Sequence, residues 1–160
     1  MRRRSLPALG PRGEGWFVVQ VVLLAAVALA GALGPNWSGL ARALSAAAGG
    51  VLVGAAFVLA LRGVLDLRSN LTVFPRPLAA AHLVDTGAYG LVRHPIYGGL
   101  ILGSLGWGLV TASGPALVAA VVLALFLRLK AAREEIWLAE KFDGYNDYRA
   151  RTRRFVPGLY

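Results

Sequence analysis

The chain of 160 residues is 57% hydrophobic, with a mean hydropathy of +0.60, an excess that a solvated surface would not carry without association. Its 17 Lys and Arg against 8 Asp and Glu give a net charge of +9, but these cations fall at the ends of apolar tracts, where lipid headgroups and membrane orientation account for them and no nucleic-acid partner is needed. The lack of cysteine excludes disulfides and thiolate metal sites, and with His82 and His94 as the only imidazoles no metal centre is expected.

Charged residues are absent from Gly15 to Ala41, from Ala43 to Leu61 and from Pro95 to Leu127. Uncharged apolar runs of this length are read as spans of a hydrocarbon core about 30 Å thick. After an N-terminal tail over residues 1–15, the first span is predicted at about 16–33, ending at Gly34-Pro35-Asn36 and flanked by Trp16 and Trp37 as interfacial anchors. Arg2, Arg3 and Arg4 before an apolar run, with Ala28-Leu29-Ala30 after it, imitate a signal peptide. The length of the run and the spans that follow favour a retained helix. The second span is predicted at about 44–65, where Gly50 and Gly54 form a small-xxx-small pair suited to close helix approach.

The third tract, Pro95 to Leu127, would measure about 50 Å as one helix, too long for a single crossing. Ser113-Gly114-Pro115 supplies a stop and a restart, so the tract is predicted to be a hairpin of spans at about 96–112 and 115–133. Gly99, Gly103 and Gly106 share a face of its first helix, with packing the simplest role for the last two. Residues 134–160 form a tail that begins as a helical extension. The expected fold is an all-α integral membrane protein of about four transmembrane helices, with a C-terminal helical hairpin and a cytoplasmic helical extension; residues 16–160 form a single domain. Sixteen of the 17 cations then lie on one side, and only Arg42 on the other, which places both termini in the cytoplasm.

Chemistry concentrates in two places. The connection before the third span, residues 75–97, closes with Gly87-Ala88-Tyr89-Gly90-Leu91-Val92-Arg93-His94-Pro95-Ile96-Tyr97-Gly98-Gly99. Pro95 starts the helix, and Arg93 and His94 at its N-terminal end favour an anionic group such as a ligand carboxylate. Singly, Arg93 serves as a topology charge, Tyr89 and Tyr97 as interface anchors and His94 as a cap; their conjunction points to a site. The second cluster is Lys130 and Glu134-Glu135 on the extended fourth helix. A Lys130–Glu134 pair one turn apart stabilises an exposed helix slightly, and Glu135 would be solvated. Alternatively, the hairpin brings Lys130 and Glu134 to the Arg93-His94 loop and closes a polar pocket at the membrane boundary.

Gly87-x-Tyr89-x-x-x-Arg93-His94-Pro95-x-Tyr97-x-Gly99, an apolar hairpin, Lys130, Glu134-Glu135 and then Leu138, Phe142, Tyr145, Tyr148 and a basic tail ending at Pro157 resemble the isoprenylcysteine carboxyl methyltransferase and phospholipid methyltransferase superfamily of integral membrane enzymes. The resemblance covers about residues 75–160; the tyrosines after Phe142 stand one position closer to it than is usual in that superfamily. It implies S-adenosylmethionine as cofactor, with Leu83 and Val84 against it, Tyr89, His94, Pro95, Ile96 and Tyr97 holding its polar parts and Glu134 completing the pocket. It implies that Lys130, with Arg93, orients the acceptor, and it leaves His82 near a family histidine position but offset by one. The function implied is methyl transfer to a lipophilic or lipid-modified acceptor, foremost carboxyl O-methylation of the isoprenylcysteine type. The alternatives are phospholipid N-methylation, a sterol-reductase-like oxidoreductase, and a membrane protein without enzymatic activity.

Overall fold

A computed structural model describes residues 6–158, so Arg2, Arg3 and Arg4 lie outside the described residues. Six α-helices follow in chain order: α1 Glu14–Leu33, α2 Gly39–Leu67, α3 Ala88–Leu91, α4 Pro95–Val110, α5 Gly114–Lys141 and α6 Tyr145–Arg151, with a 3-10 turn at Arg68–Asn70 after α2. Among the described residues there is no strand beyond two isolated bridges, Asn36 with Ser113 and Val92 with Arg153. The fold is all-α, and α1, α2 and α5 are long and apolar enough to cross a membrane. At 16 residues, α4 measures about 24 Å. It is the shorter arm of the hairpin and lies inside the bundle, against α2, α5 and α1. Outward-facing Val18, Val22, Leu29, Val51, Phe57, Val58, Val118, Val121 and Leu125 remain exposed, the apolar coat expected of a bundle solvated by lipid.

The most extensive contact joins α2 to α4, and it uses glycine differently from the sequence expectation. Gly50 and Gly54 face open space, with nothing within 4 Å of an added methyl. The close approach is made by Gly49, where a methyl would lie 2.6 Å from the Gly106 carbonyl oxygen and 2.7 Å from the Val110 nitrogen. The buried residues of α2 are Gly49, Ala56 and Gly63, one every seven positions, which is the seam of a helix packed at a small angle along an antiparallel neighbour. Trp16 also departs from expectation. It is 4% exposed, its ring is 5.5 Å from Phe126 and its indole N–H donates to the Pro7 carbonyl at 3.1 Å, so it pins the N-terminal tail to α5 and is no interfacial anchor.

The α4–α5 turn is held from three sides. Ala112 has a φ of 52° and Ser113 caps α5, its hydroxyl accepting from the Ala116 N–H at 3.3 Å while donating to the Ala30 carbonyl at 2.9 Å. The Trp37 N–H donates to the Ala112 carbonyl. Near the middle of the bundle Val27, Ala120, Leu123 and Leu127 form the buried core. Beyond it α5 continues past the apolar layer, and the connection from α2 folds back across the bundle end. There the Asn70 side chain grips the His82 backbone, donating to its carbonyl at 2.8 Å, and Lys141 donates to the carbonyls of Leu78 and Ala79.

Candidate active site

The start of α4 is fixed by an exchange with the C-terminal tail. The Arg93 and His94 N–H groups donate to the Arg153 and Arg154 carbonyls at 2.8 and 2.9 Å, and a methyl on Gly98 would strike the Phe155 carbonyl oxygen. Only glycine admits the tail so close to the helix. His94 occupies the N-cap of α4 and Pro95 its first turn, but the imidazole makes no capping bond and turns into the bundle. It stacks on Tyr97, with centroids 5.3 Å apart and rings 4° from parallel, the natural meeting of residues three apart on a helix.

Glu134 and Glu135 project in different directions, as neighbours on a helix must. The Tyr97 hydroxyl donates to Glu134 Oε2 at 2.7 Å, and His94 Nδ1 lies 4.0 Å from the same oxygen. One turn deeper, Lys130 is 1% exposed; its ammonium donates to Gln20 Oε1 of α1 at 2.6 Å and sits 5.1 Å from the Tyr97 ring centroid. Glu135 is 3% exposed, contrary to the solvated role expected for it. Its carboxylate accepts from Arg93 Nε at 3.0 Å and from Arg154 at 2.8 and 3.1 Å, with His94 Nε2 at 3.3 Å and Arg149 at 3.7 Å. One buried carboxylate thus draws α4, α5 and the tail together.

Gln20, His94, Tyr97, Lys130 and Glu134 line a cavity of about 380 Å³, a size common for small-molecule sites. Its walls come from the first turns of α1 and α4, the last turns of α2, the connection 70–84, the outer half of α5 and α6. Of the ten residues singled out in the sequence, Leu83, Val84, Tyr89, Arg93, His94, Ile96, Tyr97, Lys130 and Glu134 line it. Pro95 does not; it is buried against α2, where a methyl on Gly63 would be 2.9 Å from its ring. Arg93 reaches the wall, but its guanidinium is committed to Glu135 and to the carbonyls of Arg149 and Thr152. It therefore holds the tail. The Lys130–Glu134 spacing is no exposed helix pair, since Lys130 is buried.

Several lining residues escaped the sequence reading. Gln20 carried a signal: it is the only polar side chain between Trp16 and Leu33, and an isolated amide inside a span normally faces a polar partner. His82, whose offset left its role open, lines the cavity with Asn70. Tyr145 and Tyr148 of α6 also line it. Burial pushes the hydroxyls of Tyr89, Tyr145 and Tyr148 well above the usual phenol range, so all three are neutral donors. Tyr148 donates to the Tyr89 carbonyl at 2.8 Å.

Comparison with known proteins agrees with this architecture. The family model described as phospholipid methyltransferase matches residues 44–144, which contain most of α2, all of α3 to α5 and both polar clusters. The chain is 40% identical over 79 residues to the cobalt-zinc-cadmium resistance protein CzcN of Cupriavidus metallidurans, covering 48% of this chain and 36% of that protein. It is 35% identical over 81 residues to the nickel-cobalt-cadmium resistance protein NccN of Alcaligenes xylosoxydans xylosoxydans, covering 50% of this chain and 38% of that one. The match thus spans little more than a third of the length of these two relatives.

Proposed function

The chain belongs to the phospholipid methyltransferase family, part of the isoprenylcysteine carboxyl methyltransferase-like superfamily of membrane methyltransferases, and from that premise we propose that it methylates a lipophilic acceptor at the cytoplasmic membrane face, with S-adenosylmethionine as donor. The observation that carries this reading is the convergence of His94, Tyr97, Lys130 and Glu134 on one cavity at the end of the spans. The residues suit such a donor. Glu134 and the faces of Tyr89 and Tyr97 favour a cation, whether sulfonium or ammonium. Leu83, Val84 and Ile96 offer an apolar wall for an adenosyl group. The described cations Arg12, Arg76, Arg93, Lys141, Arg149 and Arg154 gather at the cavity's end through shared contacts. Arg42 accompanies the α4–α5 turn at the other end, through Ser45 and Trp37, an asymmetry that favours cytoplasmic termini.

When bound, S-adenosylmethionine supplies an electrophilic methyl group and departs as a neutral thioether. The chain's part is to align, to screen charge and to exclude water. Lys130 stands four residues, or about 6 Å, further into the bilayer than Glu134, on the side from which an acceptor with a hydrocarbon chain approaches. Its ammonium attracts an anionic acceptor and repels a cationic one. A carboxylate is already ionised at neutral pH and needs no base, so carboxyl O-methylation of the isoprenylcysteine type is the reading favoured by Lys130. Phospholipid N-methylation is the second reading, and it draws on Glu134, which could take the proton an amine must lose. The test is incubation of the purified chain with methyl-labelled cofactor, lipid extract and prenylated thiol carboxylates. Label released as methanol by mild alkali marks an ester, whereas alkali-stable label in the phospholipid fraction marks an amine. Absence of label from every lipophilic fraction would overturn the proposal.

A further inference from the structure

We infer that the Tyr145 hydroxyl is a ligand-binding group of the cavity and hydrogen-bonds the ammonio-carboxylate end of the methyl donor. The inference rests on the reading that this cavity takes S-adenosylmethionine. Tyr145 opens α6, its N–H donating to the Phe142 carbonyl at 3.0 Å and its ring packing edge-on against Tyr148 with centroids 5.8 Å apart. The side chain is 1% exposed, yet its hydroxyl has no hydrogen-bond partner among the described residues. The neighbouring Tyr148 hydroxyl, by contrast, is engaged by the Tyr89 carbonyl.

A buried hydroxyl without a partner carries its full desolvation cost. Packing alone gives no reason for it, since phenylalanine would fill the same space without that cost. The residue lines the cavity, so a ligand there can provide the missing partner. The part of the ligand follows from the surroundings. Around the cavity that Tyr145 lines stand Glu134 and Lys130, one carboxylate and one ammonium. That mixture suits a group carrying both signs, such as the amino-acid end of the donor. The uncharged adenosyl portion is better matched by Leu83, Val84, Leu138 and Phe142, which belong to the same wall. A phenol held neutral can donate to the carboxylate or accept from the ammonium.

The test compares the full chain with Tyr145→Phe in detergent, using calorimetry with S-adenosylhomocysteine and with 5′-methylthioadenosine, which lacks the amino-acid end. The variant is expected to bind S-adenosylhomocysteine about tenfold to a hundredfold more weakly and to bind 5′-methylthioadenosine as the parent chain does. The thermal midpoint of the unliganded variant is expected to be unchanged or raised. Tyr148→Phe, which breaks the bond to Tyr89, is expected to lower it. Equal weakening toward both ligands, unchanged affinity for the first, or a lowered midpoint of unliganded Tyr145→Phe would each overturn the assignment. A parent chain that bound neither ligand would remove the cofactor reading itself, which separates the two failures.

Discussion

Replacing Glu135 with glutamine should loosen the C-terminal tail from the start of α4. In the parent chain the Glu135 carboxylate compensates Arg93 and Arg154, whose side chains are 9% and 15% exposed, at 3.0 and 2.8 Å. Arg149 is 52% exposed and 3.7 Å away, so screening reduces its share to at most about 1 kcal/mol. Removing the one negative partner of two buried guanidinium groups leaves uncompensated like charges side by side. Losses of this kind run to about 3–5 kcal/mol. For a chain of this size each kcal/mol moves the midpoint by about 2–4 °C, so Glu135→Gln should lower it by about 10 °C. Tryptophan fluorescence on heating in detergent would measure the change. Limited trypsin digestion should show faster cleavage at Arg149, Arg151 and Arg153, because the backbone bonds from Arg93 and His94 to the tail would open locally. A variant with the parent's midpoint and the parent's trypsin resistance would refute the view that this carboxylate holds the tail.

The adjacent substitution should behave in the opposite way: Glu134→Gln is expected to weaken S-adenosylhomocysteine by about tenfold to a hundredfold, with little change in midpoint, as calorimetry beside a thermal scan would show. Lys130→Met is expected to raise the KM for a carboxylate acceptor by at least about tenfold while leaving cofactor affinity intact, measured by methyl-transfer kinetics. Gln20→Leu removes the amide that holds the Lys130 ammonium at 2.6 Å and should reproduce a weaker form of that KM effect, which Gln20→Asn at the same position should not restore because it is one methylene shorter. Burial holds the Tyr89, Tyr145 and Tyr148 phenols above their ordinary value of 10.0. The folded state therefore keeps protons that the unfolded chain releases above that value, so stability should fall as pH rises past about 10. A phenolate absorbance titration in which these tyrosines ionised before unfolding would contradict this.

The spans were legible because membrane insertion separates charge from apolar sequence along the chain itself: the gaps at Gly15–Ala41 and Ala43–Leu61 hold most of α1 and α2. Helix phase was not legible. An α2 that is apolar all round carries no moment to say which stripe turns inward, so Gly50 and Gly54 were as plausible a seam as Gly49, Ala56 and Gly63. The polar clusters were readable as residue types at fixed spacing, since His94 to Tyr97 and Lys130 to Glu134 each lie within one turn. What sequence could not supply was the long-range pairing of the tail. Nothing local tells Arg154 from Arg153, yet the first turns inward to Glu135 while the second only lends its carbonyl to Arg93. Likewise Gln20 meets Lys130 from 110 positions away, a contact fixed only by the packing of α1 on α5.

The Glu134-Glu135 pair shows why two like charges stand together at a membrane boundary. Successive side chains on a helix point about 100° apart, so a single turn of α5 can face a cavity with one carboxylate and a strap of basic tail with the other. Each environment then fixes the role. Glu134 meets a phenol, an imidazole and open cavity, and so keeps capacity to hold a ligand. Glu135 meets Arg93, Arg149 and Arg154, and its acceptor capacity is spent within the protein. His94 touches both, through Nδ1 toward one and Nε2 toward the other. The imidazole thus ties the seating of the tail to the geometry of the cavity. Loosening the tail should degrade ligand binding even though Arg149 and Arg154 do not line the site, and Glu135→Gln should lose affinity in proportion to the tail's opening, where Glu134→Gln loses it with the tail still closed.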